Sequence, residues 1–305
     1  ILRKQLKEIN SDKRISSTKT TYISDANIEN GIRALKELPM NEGYIAACET
    51  VYDLITLGKA FEQNFDGDKK SITLHYIDWN PVTFLTNNLF HVTEEYNVMR
   101  SASKEHYRPD LVLFVNGIPL CVIECKRPDM KEPLAQAISQ HLRSQQEDGI
   151  RALYVYAQLI MSVATQEASY ATNATTEKFW SKWEEGFKIL NPYNDEEENK
   201  YRNDLLELKN QSLSIEQKEK LFSERFKYVR QYFDDLEKEN ILPTVQDKYL
   251  FGLCRPERLM DIIFNFILFD NGEKKIARYQ QFFAIKKSMK RILQFEGGRR
   301  QGGVI

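Results

Sequence analysis

RPDLVLFVNGIPLCVIECKRP, residues 108–128, is the stretch on which the reading of this chain turns. Two apolar, β-rich runs, DLVLFV (110–115) and IPLCVIECK (118–126), flank Asn116-Gly117. Asn-Gly between two such runs is the strongest short-range signal for a β-hairpin. A two-residue turn pairs Val115 with Ile118 and so sets Glu124 opposite Pro109. A longer loop that takes in Ile118 and Pro119 sets it opposite Leu111 or Asp110. Either way Glu124 falls within a residue or so of Asp110. Side chains alternate along a strand, so Glu124 and Lys126 share one face while Cys121, Ile123 and Cys125 share the other. The cysteines are thereby assigned to core and the charged pair to a cleft.

Two acids and a lysine gathered inside the paired part of a hairpin are costly to bury unless something compensates them. Hydrolysis of a phosphodiester is one chemistry that uses them. It needs Mg²⁺ beside the phosphate, an activated water and neutralisation of developing negative charge. Mg²⁺ takes hard oxygen ligands, commonly one or two carboxylates, and keeps waters for the rest. Asp110 and Glu124 meet that requirement, with Lys126 as the neutralising cation. The residues alone leave a second reading open, in which Asp110 sits in a turn after Pro109 and Glu124–Lys126 is a surface ion pair at a strand end.

Outward from the hairpin, helices are expected over 25–38, capped by Ser24 or Asp25, and from about Ala46 to Phe65. SITLHYIDW (71–79) and FHVTEEYNV (90–98) read as strands around a possible helix in PVTFLTNNLF (81–90). EPLAQAISQHLRSQQ (132–146) reads as a helix, with Leu134, Ala137, Ile138 and Leu142 on one face. RALYVYAQLIMSVAT (151–165) reads as a strand or pair of strands. Residues 177–240 are richly charged and helical in spacing, and ERLMDIIFNFILF (257–269) and RYQQFFAIKKSMKRIL (278–293) read as further helices. This order implies a mixed α/β domain to about residue 240, with a different unit beginning near 245.

Composition is that of a globular protein: 305 residues, 42% hydrophobic, 29% charged, formal net charge −1. No apolar run is long enough to span a membrane and the start lacks a secretory core, so no membrane association is expected. Four scattered cysteines fit a reducing, cytoplasmic setting and do not form a zinc pattern. Between Glu273 and Arg300 nine Lys/Arg stand against two Glu, which reads as a solvated basic face or as phosphate contacts.

Pro109-Asp110…Glu124-Cys125-Lys126 is the pattern of the PD-(D/E)xK nuclease superfamily. The wider run 108–128 closely resembles the N-terminal nuclease domain of the restriction (R) subunit of type I restriction–modification enzymes. NLFHVTEEYNV (88–98) and SYATNATTEKFWSKWEE (169–185) agree with it. CRPERLMDIIFNF (254–266) and ARYQQFFAIKKSMKRI (277–292) resemble that family's entry into its helicase motor. The resemblance implies a restriction-endonuclease-like mixed sheet flanked by helices over 1–240, then the first helices of a RecA-like helicase domain over 241–305. It makes Asp110 and Glu124 Mg²⁺ ligands and Lys126 the stabiliser of the attacking hydroxide or transition state. Gln140 takes the Gln place of a Gln-x-x-x-Tyr element, where Ser144 stands instead of Tyr. Gln281 takes the place of an adenine-contacting Gln, and Glu29 is a candidate acid on the first helix.

The chain stops at Ile305, before the Walker A loop the resemblance would place next. ATP is therefore expected as a cofactor of the full-length protein and ATP hydrolysis is not expected of this stretch. Double-stranded DNA and the methylation (M) and specificity (S) subunits are the expected partners. The alternatives are a catalytically silent DNA-binding or assembly module of nuclease fold, and a repair-type nuclease of the same superfamily.

Overall fold

In a computed structural model of the chain, all residues are described except 12, 15–19, 66, 186–195, 297 and 301–305. Three helices lead, α1 (Leu2–Ile9), α2 (Asp25–Lys36) and α3 (Tyr44–Leu57). The Ser24 hydroxyl accepts from the Asn27 amide and caps α2 as expected. The second expected helix stops early. Gly58, at φ 83°, ends α3, and Lys59–Phe65 forms β1, paired antiparallel with β2 (Asp68–Leu74). Positive φ is open to glycine at little cost and closes helices for that reason.

The central sheet is built from β3 (Phe90–Glu94), β4 (Leu111–Val115), β5 (Ile118–Cys125), β6 (Leu159–Ala164) and β7 (Glu167–Ala171). They lie in the order β7-β6-β5-β4-β3. All neighbours are antiparallel except β5 and β6, which run parallel. A parallel pair needs a crossover, and helices α4 (Pro133–Ser144) and α5 (Arg151–Tyr154) provide it. Arg151–Tyr154 was expected to be strand; only the later part of that segment, from Leu159, joins the sheet.

The hairpin between β4 and β5 carries both of the registers weighed from sequence, one after the other. Val115 pairs with Ile118 across the two-residue Asn116-Gly117 turn, and a β-bulge then shifts the register between Leu113 and Phe114. Beyond it Leu111 pairs with Ile123, so the next step places Asp110 across from Glu124. Leu120 and Cys121 are both buried in the same cluster, as expected where one strand carries an extra residue.

One face of the sheet, bearing Leu111, Leu113, Cys121, Ile123 and Met161, packs in a large core with Leu6, Ile28 and Val51. The same core takes Tyr249 and Leu253 of α7 (Val245–Cys254), Leu259 and Ile263 of α8 (Pro256–Asn265), and Phe282. The other face, bearing Val112, Val122, Ile160 and Ala171, packs with Leu153 and Tyr154 of α5. The expected helix over 257–269 ends at Asn265. Ile267–Asp270 is β8, an antiparallel partner of β9 (Glu273–Ile276), and α9 (Tyr279–Leu293) follows.

Segment 177–240 is helical in α6 (Glu196–Lys209) and in two short helices, Ile215–Leu221 and Arg230–Leu236. Of the acidic NDEEEN run, Asn194 and Asp195 lie outside the described residues, as does the GGVI end. No helix among the described residues is long and apolar enough to cross a membrane.

Candidate active site

Asp110 stands just ahead of β4, where its carbonyl accepts from the Glu95 amide at 2.8 Å. Its carboxylate Oδ2 accepts from the Cys125 amide at 2.6 Å, which ties the acid to the end of β5. Glu124 is fully buried. Its neighbour on β6 is Ser162, also fully buried. Neither Glu124 carboxylate oxygen, nor the Ser162 hydroxyl, has a hydrogen-bond partner among the described residues. Burial, then the Asp110 charge, raises the Glu124 carboxyl to about 8, while Lys126 pulls it back down.

Lys126 extends the strand pairing through its amide, which donates to the Val163 carbonyl at 2.9 Å. Its ammonium lies 3.8 Å from Glu124 Oε2 and donates to Gln140 Oε1 at 2.6 Å. The sheet and α4 thus bring Asp110, Glu124, Lys126 and Gln140 together, as the sequence reading expected. Cys121 and Cys125 lie in or against the large core. Both are free thiols whose pKa burial raises, and Cys121 is buried in the large core.

Glu29 and Gln281 are not in this cluster. Glu29, on α2, is held by Arg3 of α1 with contacts of 2.7 and 2.8 Å. Gln281 caps α9, its side-chain carbonyl accepting from the Arg278 amide at 2.8 Å. It also lines a separate cavity of about 800 Å³ with Asn173, Thr175, Lys274 and Arg278.

Sequence reasoning missed a layer behind the site. Of the expected face of α4, Ala137 and Ile138 are buried, but Leu134 and Leu142 are only half-buried, and His141 and Ser144 complete the buried stripe. His141 Nε2 meets the Met161 carbonyl at 2.9 Å and Nδ1 meets the Tyr154 hydroxyl at 2.8 Å. Burial lowers this imidazole to about 4, so it is neutral and fastens α4 to β6. Its spacing from Ala137 and Ile138 on one helical stripe was the available signal.

The donor set suits a hard divalent ion. It comprises two carboxyl groups, one just ahead of β4 and one on β5, the latter buried with no hydrogen bond to either oxygen. Among the described residues no group of three or more His, Cys, Asp or Glu is gathered; Mg²⁺ commonly takes one or two carboxylates and keeps waters for the rest.

The sequence model of the family described as "Type I restriction enzyme R protein N terminus" matches residues 1–179. The chain belongs to that family. The HindI type I restriction enzyme endonuclease subunit of Haemophilus influenzae is 27% identical over 266 residues, which is 84% of this chain and 20% of that one. A candidate MjaIXP type I restriction enzyme endonuclease subunit of Methanocaldococcus jannaschii is 27% identical over 246 residues, 80% of this chain and 20% of that one. A second protein of that organism, the candidate MjaVIIIP subunit, is 27% identical over 301 residues, 97% of this chain and 22% of that one. The chain therefore spans about a fifth of the length of the curated relatives it matches.

Proposed function

We propose that this chain is the DNA-cleaving part of a type I restriction enzyme R protein, hydrolysing phosphodiester bonds with Mg²⁺. The observation that carries the reading is the buried Glu124 carboxyl, without a hydrogen-bond partner, across the hairpin from Asp110 and beside Lys126. Asp110 and Glu124 would hold the ion. A divalent cation so held supplies Lewis acidity and lowers the pKa of water.

The chain's own groups do the rest. Asp110 is held against the end of β5 by the Cys125 amide. Glu124 carries a carboxyl whose ionisation awaits added positive charge. Lys126, steered by Gln140, is placed to neutralise negative charge developing on the phosphate. The dry, neutral layer of His141 and Tyr154 keeps α4 seated so that Gln140 stays within reach.

In the full-length protein this activity would be coupled to ATP-driven translocation along double-stranded DNA. Residues 241–305 would form the entry to the motor and Gln281 would contact adenine. The M and S subunits would supply sequence recognition. Family membership and the partial span of the relatives support this assignment.

The test is cleavage by the full-length protein assembled with its partner subunits. Asp110→Ala, Glu124→Ala and Lys126→Ala each abolish Mg²⁺-dependent cleavage and spare ATP hydrolysis. Cleavage persisting in all three variants overturns the reading.

A further inference from the structure

A cleft of about 810 Å³ opens beside Lys126, between the end of β5 and one side of α4. The helix contributes Gln136, Ser139, Gln140 and Arg143 to its wall. These positions form one stripe at helical spacing, made of hydrogen-bonding side chains and one cation, with no acid among them. Lys126 and Arg127 add two more cations, and Glu177 is the one carboxylate among the lining residues.

Most of these groups are already engaged. Lys126 donates to Gln140, Gln136 donates to the Lys131 carbonyl, and Arg127 lies 3.5 Å from Asp129. Arg143 is different: it is exposed, and no hydrogen bond or ion pair of its guanidinium is found among the described residues. A cation in the last turn suits the negative end of a helix. That accounts for the charge but not for the side of the helix on which it stands.

We propose that Arg143 binds the DNA phosphate adjoining the scissile one, so that the Gln136–Arg143 stripe of α4 is the backbone-tracking wall of the active site. The proposal rests on the reading of Asp110, Glu124 and Lys126 as the DNA-cleaving cluster. Three residues of helix advance by about 4.5 Å from Gln140 to Arg143. A DNA strand carries one phosphate per about 3.4 Å of duplex axis, and Arg143 lines the same cleft as Lys126, so a strand with one phosphate at Lys126 runs along the wall on which Arg143 stands. Arg matches phosphate with a planar fork of donors. Ser and Gln are common backbone contacts that fix register and carry no base information.

The experiment measures binding of the 305-residue chain to a short DNA duplex by fluorescence anisotropy, in EDTA, across a salt series. Arg143→Ala should flatten the slope of log affinity against log salt by about one and weaken binding equally for unrelated sequences. Arg143→Lys should restore most of the slope. Lys238→Ala removes the same charge outside the cleft and should leave the slope as it is.

An unchanged slope in Arg143→Ala overturns the proposal while leaving the cleavage reading intact, since no cleavage occurs in EDTA. Loss of slope equal in Arg143→Ala and Lys238→Ala also overturns it, because the effect is then one of net charge. Absence of DNA binding by the wild-type chain counts against both. In the assembled enzyme, Arg143→Ala should raise the DNA concentration for half-maximal cleavage and spare the rate at saturation.

Discussion

Glu124 and Lys274 are both ionisable residues folded into the interior, and their surroundings differ in one respect. Lys274, on β9, is 4% exposed and donates to the Ala157 carbonyl at 2.9 Å and to Asn173 Oδ1 at 3.0 Å. Burial lowers its amine to about 7, with the nearby Cys48 thiol pulling the other way. A neutral amine has two N–H donors, and Lys274 has two acceptors. It therefore joins the β8–β9 hairpin to the sheet with its needs met. Glu124 has neither oxygen satisfied. A buried polar group without partners is destabilising unless a ligand completes it. The satisfied group is architecture, and the unsatisfied one lies where the proposed chemistry falls.

The contrast breaks first on activity. Glu124→Ala should lower Mg²⁺-dependent cleavage by at least ~100-fold, whereas Lys274→Met should leave cleavage per folded molecule unchanged. A comparable loss in both, at equal folded fraction by circular dichroism, would erase the distinction. On stability the order reverses. Lys274→Met strands two buried acceptors and should lose about 2–4 kcal/mol in urea unfolding. Glu124→Ala, measured without divalent ions, should lose less.

The two groups also tilt stability in opposite directions with pH. The folded Glu124 carboxyl titrates near 8 against 4.5 unfolded, so between those values the native state holds the extra proton and stability falls as pH rises. The folded Lys274 amine titrates near 7 against 10.5 unfolded, so between those values the unfolded state holds the extra proton and stability rises with pH. Each slope is at most about 1.4 kcal/mol per pH unit. Glu124→Gln should remove the falling component below pH 8 and Lys274→Met the rising component above pH 7, read as differences from wild type in EDTA. The smallest effect is expected at Gln140. Its Ala variant frees Lys126 from one hydrogen bond and should slow cleavage about five- to tenfold.

Much of the site was legible because strand alternation and an Asn-Gly turn are strictly local signals. They brought Asp110, Glu124 and Lys126 together before any tertiary contact was considered, and the family resemblance, not spacing, added Gln140. What local pattern could not supply was partnership at a distance. Lys274 read as one more cation in a basic stretch, yet it is buried by Ala157 and Asn173, more than a hundred residues away in the chain. Lys59–Phe65 read as the tail of a helix because its apolar spacing suits either period. Gly58 and pairing with β2 decide it. Ile267–Asp270 was absorbed into a helix for the same reason, and Asn271-Gly272 turned it into a hairpin.

The bulge in β5 acts as a vernier between two scales. Thirteen residues separate Asp110 from Glu124 in the chain, but what the cluster needs is that the two acids face each other across the strands. The single extra residue near Leu120 converts one spacing into the other. Loss of that residue, or gain of one in the Asn116-Gly117 turn, would leave every lettered element of the motif in place and slide the acids out of step. If the proposed site is right, an intact Asp…Glu-x-Lys string is necessary to it without being sufficient. An insertion or deletion that alters no motif letter would then separate the two acids.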